Sequence, residues 1–113
     1  MPIYVLRTWK TKPGTWREFQ ELSNNDIWPA LEAAGAKIIG LWTTIIGEGN
    51  EVVLLTRYDD LAMWERTRVW TGDPPEGVEA ELWRRAAEAV MKRQSLTEST
   101  HARVLSPSEY RVP

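Results

Sequence analysis

Cysteine does not occur anywhere in the 113 residues of this chain. Disulfides, thiolate metal sites and cysteine nucleophiles are therefore excluded together. Histidine and phenylalanine appear once each. One imidazole and no thiol leave carboxylates as the remaining metal ligands, and no metal site is expected. Charge of one sign is not in excess: 14 basic residues stand against 16 acidic ones, and the basic residues form no run or stripe. A nucleic-acid surface needs a concentrated positive footprint, so nucleic acid is not an expected partner. No apolar stretch approaches the length that spans a bilayer, and the N-terminus has no signal-peptide pattern. The expectation is a cytoplasmic protein with no membrane partner. Repeats, low-complexity segments and internal linkers are missing as well.

The hydrophobic share of 42% and the charged share of 27% are those of an ordinary globular chain. There is room for a single domain over residues 1–113 and one modest core. One residue type is out of proportion. Seven tryptophans, Trp9, Trp16, Trp28, Trp42, Trp64, Trp70 and Trp83, accompany the lone phenylalanine. An indole is bulky and its N–H wants an acceptor when buried, so tryptophan suits a wall where apolar surface meets something polar. A ligand pocket and a subunit interface are such walls; plugging a small core is the plainer use.

Residues 3–10, rich in β-branched and aromatic types, read as a strand that Pro13-Gly14 stops. Thr15 then caps a helix with loose apolar spacing at Trp16, Phe19, Leu22 and Ile27. Pro29 either kinks that helix or restarts it after a cap at Asn25 or Asp26, and Gly35 ends it. Strand two spans Lys37 to Ile46, and the Gly47-Glu48-Gly49-Asn50 turn leads straight into strand three, Glu51 to Tyr58, giving an antiparallel hairpin. A strand follows that turn where a phosphate loop would need a helix. Asp59-Asp60 cap a second helix whose inner face holds Leu61, Trp64, Arg68 and Val69. Gly72-Asp73-Pro74-Pro75 breaks it; a third helix from about Val78 to Arg93 groups Leu82, Ala86, Ala89 and Val90. A last extended segment, about Ser95 to Leu105, precedes a tail over 106–113. The order β–α–β–β–α(α)–β yields a four-stranded antiparallel sheet with helices on one face: an α+β, ferredoxin-like βαββαβ sandwich.

A sheet covered on one face should alternate apolar and polar residues along its strands. Strand three does not: Val52 and Leu54 point one way, Val53 and Leu55 the other. Strand two reads likewise, with Ile38 and Trp42 set against Ile39, Leu41 and Ile45. Each large side chain left in water forgoes roughly 1.5–3 kcal/mol of burial. A second copy packed sheet to sheet about a two-fold axis is the simplest cover, and a homodimer closing an α/β barrel is the expectation. The alternative cover is the C-terminal tail folded back over this face.

The pieces now assembled resemble the NIPSNAP family, within the dimeric α+β barrel superfamily. They are Tyr4-x-Leu6-Arg7-Thr8 with Lys12-Pro13-Gly14; Gly40-x-Trp42-Thr43-Thr44 with Gly47-Glu48; Asn50-Glu51-Val52-Val53 with Tyr58-Asp59-Asp60-Leu61; and Arg103-Val104-Leu105-x-Pro107. Their order and spacing cover essentially the whole chain. The resemblance implies fold more than chemistry, since members are mostly uncharacterised and some act in binding or signalling. Related barrels include cofactor-free monooxygenases, polyketide cyclases and haem-degrading enzymes, all with a pocket between sheet and helices. Many relatives resemble Val-Val-His-Leu-Trp in strand three, where this chain has Leu54 and Thr56 at the histidine and tryptophan positions. Chemistry relying on that imidazole is not implied here.

Candidate catalytic residues are Arg7, Tyr58 and His101; candidate ligand-binding residues are Tyr4, Trp42, Thr56 and Trp64. Arg7, mid-strand among apolar neighbours, needs an anionic ligand or a carboxylate such as Glu51, because an unpaired buried charge is costly. Tyr4 and Tyr58 offer hydroxyls as donors or weak acid–base groups, or else structural hydrogen bonds. Trp42 and Trp64 make an aromatic wall for a flat ligand, or core packing. His101 is a candidate general base or axial haem ligand, or a plain surface residue. The carboxylates read as helix-face or cap residues, and no Ser/His/Asp triad spacing occurs. These residues support three readings. One is a cofactor-independent enzyme (cyclase, isomerase or monooxygenase of secondary or aromatic metabolism). The second is a non-catalytic dimeric ligand-binding or scaffold protein, and the third haem binding or degradation. On the first two readings the partner is an unknown small molecule and no cofactor is expected.

Overall fold

The computed structural model describes residues 1–70 and 72–108, so residues 109–113 of the tail lie outside the described residues. Strand β1 (Ile3–Thr11) is followed by helix α1 (Trp16–Leu22). Thr15 stands at the N-cap of α1 without capping it; its hydroxyl donates to the Lys12 carbonyl at 2.6 Å. Nor does Pro29 break the helical run. A π turn over Ser23–Ile27 joins α1 to α2 (Trp28–Ala33) without a gap, the Trp28 N–H reaching the Ser23 carbonyl. Proline has no N–H for the carbonyl four residues back, and a wider i→i+5 turn just before it lets the run continue. Asp26, a candidate cap with Asn25 had the helix restarted there, instead pairs with Arg85 at 3.0 Å. Gly35 ends α2 as the sequence suggests. Its φ of +105° places its N–H on Glu32 O while the Ala36 N–H reaches Leu31 O, the paired closure that favours glycine.

Strand β2 (Lys37–Thr43) is three residues shorter than expected, and β3 (Glu51–Tyr58) matches. Residues 44–50 form an open loop that leaves Ile45 and Ile46 95% and 93% exposed. Thr44 closes its base, donating from N–H to Glu51 O and from its hydroxyl to the Glu51 carboxylate. Helix α3 (Leu61–Arg66) is capped by Asp60, which accepts from the Met63 N–H at 2.8 Å; Asp59 pairs with Arg57. Its inner side is Met63 and Trp64, with Thr67 beyond; Leu61 and Val69, expected there, are exposed. Helix α4 (Ala80–Ser95) starts and ends two residues later than read, and β4 (Thr97–Leu105) follows at once.

The strands order β2-β3-β1-β4, every neighbouring pair antiparallel. The fold is α+β and ferredoxin-like, as read. On β3, Val52, Leu54, Thr56 and Tyr58 are buried while Val53, Leu55 and Arg57 are half-exposed on the opposite face. Their cross-strand partners put Val5, Arg7 and Trp9 under the helices, and Tyr4, Leu6 and Thr8 on the open face. The helix side packs Val5, Trp9, Val52, Leu54 and Tyr58 against Phe19, Ile27, Trp28, Leu31 and Ala89. A second cluster gathers Ala30, Ala34, Val78 and Ala86 around Trp83. In β2 a register shift at Ile39 sets Ile38 opposite Thr56 and Leu41 opposite Leu54, whereas Trp42 falls opposite Val53. Trp42 therefore does not share a side with Ile38, as strict alternation suggested. One extra residue reverses which side chains look inward.

Candidate functional site

Between the sheet and the helices lies a cavity of about 470 Å³, open to one side, within the roughly 300–1,000 Å³ usual for small-molecule sites. Its floor is the inward row of the two central strands: Val5, Arg7 and Trp9 of β1, Leu54, Thr56 and Tyr58 of β3. Trp28 from α2, Trp64 from α3 and Trp70 from the following segment supply walls, and Arg93 of α4 and Arg68 supply charge. Period-two alternation brings the floor residues to one face. Helix α3 is short and packs on β3 beside this floor.

Arg93 is the most unusual residue of the cavity. It is 8% exposed, and its guanidinium lies 4.7 Å from the Trp9 ring, 4.9 Å from Phe19 and 5.1 Å from Trp28. Among the described residues its one hydrogen-bond acceptor is Ser23 Oγ at 2.9 Å, and no carboxylate lies within ion-pair distance. Burial pushes its pKa down to about 9, and Arg7 acts in the same direction. At neutral pH it stays charged. Arg7 approaches the same Trp9 ring at 6.0 Å and donates to Thr100 Oγ1 at 3.2 Å. Its pKa is lowered by burial and by Arg68, which itself stacks 4.7 Å from Trp64.

Tyr58 sits 3.5 Å from Thr67 Oγ1. The single Thr67 hydroxyl proton is committed to the Trp64 carbonyl at 2.7 Å, so the tyrosine is the donor and keeps its lone pairs for an incoming group. Burial raises the Tyr58 pKa, and the Arg7 charge pulls the other way. A group with a raised folded pKa adds stability that is complete below the unfolded value, about 10 for tyrosine, and lost as pH climbs through the folded one. In an absorbance titration of tyrosinate, one step should therefore lag behind the ordinary range, and Tyr58→Phe should remove that step and no other.

Of the residues singled out from the sequence, Arg7, Tyr58, Thr56 and Trp64 meet in this cavity. Tyr4, Trp42 and His101 do not. Tyr4 pairs across with Arg57 and is buried on the open face, beside that guanidinium. Trp42, 52% exposed, lies on that face too, so the sheet separates it from Trp64 and the two form no common wall. His101 pairs with Thr8 and borders a shallow open-face hollow with Lys10, Glu48 and Glu51. The carboxylate considered for Arg7 is likewise on the far side: Glu51 pairs across from Lys10 and accepts from Thr44. Arg93, Trp28 and Trp70 were missed as site residues. A signal for Arg93 existed, since it continues the apolar stripe of α4 at Ala86, Ala89 and Val90 by one further turn.

Fold and site together define a ferredoxin-like α+β protein with an indole-walled, cation-bearing cavity under its helices. The chain belongs to the NIPSNAP family, whose family model matches residues 4–110. A NIPSNAP domain protein of Burkholderia xenovorans is similar at 20% identity with a TM-score of 0.77, over 98% of this chain and 99% of that one. A NIPSNAP-like domain protein of the same organism reaches 27% identity and a TM-score of 0.72, over 99% and 90%. A NIPSNAP family protein of Agrobacterium tumefaciens C58 gives 21% identity and 0.73, over 97% and 96%. The two Burkholderia proteins are described as uncharacterised. Among curated proteins, none matches. Among the described residues no helix is long and apolar enough to cross a membrane, and no group of His, Asp or Glu residues is placed to hold a metal.

Proposed function

We propose that this chain binds a small molecule in the cavity between sheet and helices, and does so as a homodimer in the cytoplasm. The observation that carries the binding reading is the cavity itself: about 470 Å³ walled by Trp28, Trp64 and Trp70, with a few converging polar groups on its floor. A small core has no packing reason to leave that much apolar and cationic surface unfilled. The homodimer rests on the open sheet face, where Leu6, Val53, Leu55, Trp42 and Leu105 lie with no described helix above them.

Binding without chemistry is the better supported form. Within the cavity Tyr58 has its pKa raised and its proton bonded to Thr67, and His101 is on the other side of the sheet. No acid–base pair is assembled among the described residues. A cofactor-independent enzyme is the second reading, favoured by one observation: Arg7 and Tyr58 line the floor of the same cavity. There Arg7 would stabilise an enolate, and Tyr58 would have to turn its proton from Thr67 to the same oxygen. The haem reading rested on His101 and on tryptophans, and the position of His101 gives it no support.

A thermal-shift screen of aromatic and alicyclic metabolites tests the proposal. At a hundredfold excess over Kd a ligand contributes about 2.7 kcal/mol, several degrees in Tm, and Trp64→Ala should reduce that shift. Recovery of the compound unchanged marks a binder; conversion that Tyr58→Phe slows marks an enzyme. A collection in which nothing stabilises the protein would reject the cavity as a ligand site.

A further inference from the structure

Three guanidinium groups border one cavity, and the acids that would balance them are elsewhere. Of the residues lining it, Glu98 is the single carboxylate among those described, and it turns to Lys10 at 3.9 Å. Glu51, Glu48 and Asp59 are bonded to Thr44, Lys10 and Arg57 respectively. Arg93 is more than nine-tenths buried, with one neutral acceptor for five N–H donors. Arg7 has one neutral acceptor too, Thr100, whose own proton is given to Thr8 O at 2.9 Å. Both line the cavity beside the Trp9 ring, at 6.0 and 4.7 Å, and the Arg7 charge acts on Arg93. An aromatic face attracts a cation but neutralises nothing, and two converging cations repel each other. A carboxylate between them would accept the spare donors in forked geometry and cancel the repulsion at once.

We propose that the cavity is selective for a flat, largely apolar small molecule carrying one carboxylate, the carboxylate held between Arg7 and Arg93 and the flat body laid against Trp28, Trp64 and Trp70. This rests on the small-molecule reading above and adds to it the chemical class of the ligand and the role of Arg93. The lowered pKa of both arginines is consistent with a site whose counter-ion arrives with the ligand.

The experiment is calorimetric titration of the full chain with 2-naphthoate and with its uncharged isostere 2-naphthamide. The expected result is binding of 2-naphthoate at least tenfold tighter than 2-naphthamide. Arg93→Met should abolish that preference by weakening the acid tenfold or more and the amide much less. Arg7→Gln, at a less buried position, should do the same and keeps the test open if the Arg93 variant folds poorly. Equal affinities for acid and amide would overturn the carboxylate assignment and leave the binding reading standing. A preference surviving in both variants would overturn it as well, since the charge would then be read elsewhere. If neither compound binds at millimolar concentration, the carboxylate assignment falls, and the thermal-shift screen decides the binding reading by itself.

Discussion

Replacing Trp83 by alanine is expected to remove roughly 3–5 kcal/mol of stability, lowering Tm by roughly 10–20 °C for a chain of this size. Trp83 is 1% exposed and heads the largest fully buried side chains. It fills the second cluster between Ala30, Ala34, Val78 and Ala86, small residues that cannot expand into the space an alanine would leave. Its ring also stacks on Trp70 at 4.4 Å with 21° between planes, and Trp70 is a wall of the cavity. Loss of Trp83 therefore reaches the candidate site through one contact. Its Nε1 is buried without a hydrogen-bond partner among the described residues, and such an orphan donor costs about 1–3 kcal/mol. Trp83→Phe removes the orphan and part of the volume together, so these effects offset and Tm should stay within a few degrees of wild type. Calorimetry on both variants separates packing from polarity. A mild alanine variant beside a severe phenylalanine one would contradict this account.

Leu55→Asp is expected to turn a particle of twice 13.0 kDa into one of 13.0 kDa in sedimentation at micromolar concentration, with helical and strand content retained. Leu55 is half-buried on the open face, opposite Leu6 on one side and Gly40 on the other. A carboxylate at the centre of two facing sheets would be desolvated without a partner, which costs several kcal/mol. In a lone protomer the same carboxylate remains in water and costs little. The substitution thus separates assembly from folding, and wild-type protein sedimenting at 13.0 kDa would overturn the homodimer. The ring of Trp42 lies folded over Gly40, where a Cβ would meet it at 2.5 Å. That indole belongs to the same open surface, and Ile45 and Ile46 project from the loop beside it. These exposed apolar groups are what a second sheet would cover.

The element order, the sheet and both helix-forming regions were legible because they depend on local rules. The turn at Pro13-Gly14, the Asp60 cap, the Gly35 stop and the two-sided apolarity of β3 are each written in a few adjacent residues. Half of the candidate site was legible for the same reason: Arg7, Thr56 and Tyr58 alternate onto one face of their strands. The other half was not. His101 and Tyr4 were assigned to the pocket as residue types, and strand parity sends them to the opposite side. Parity follows from register, and register here follows from pairing between segments as distant as Tyr4 and Leu105.

The sequence by itself therefore determined the α+β plan, the order of its elements along the chain and the presence of apolar side chains on both faces of the sheet, since period and capping act over a few residues. What tertiary structure alone decided was the company each polar side chain keeps. The bulge in β2 turned Trp42 outward, the π turn carried the helix through Pro29, and the docking of α4 buried the guanidinium of Arg93 among three aromatic rings. A charge takes its meaning from the groups within a few ångströms of it, and those neighbours are gathered from distant parts of the chain only when it packs.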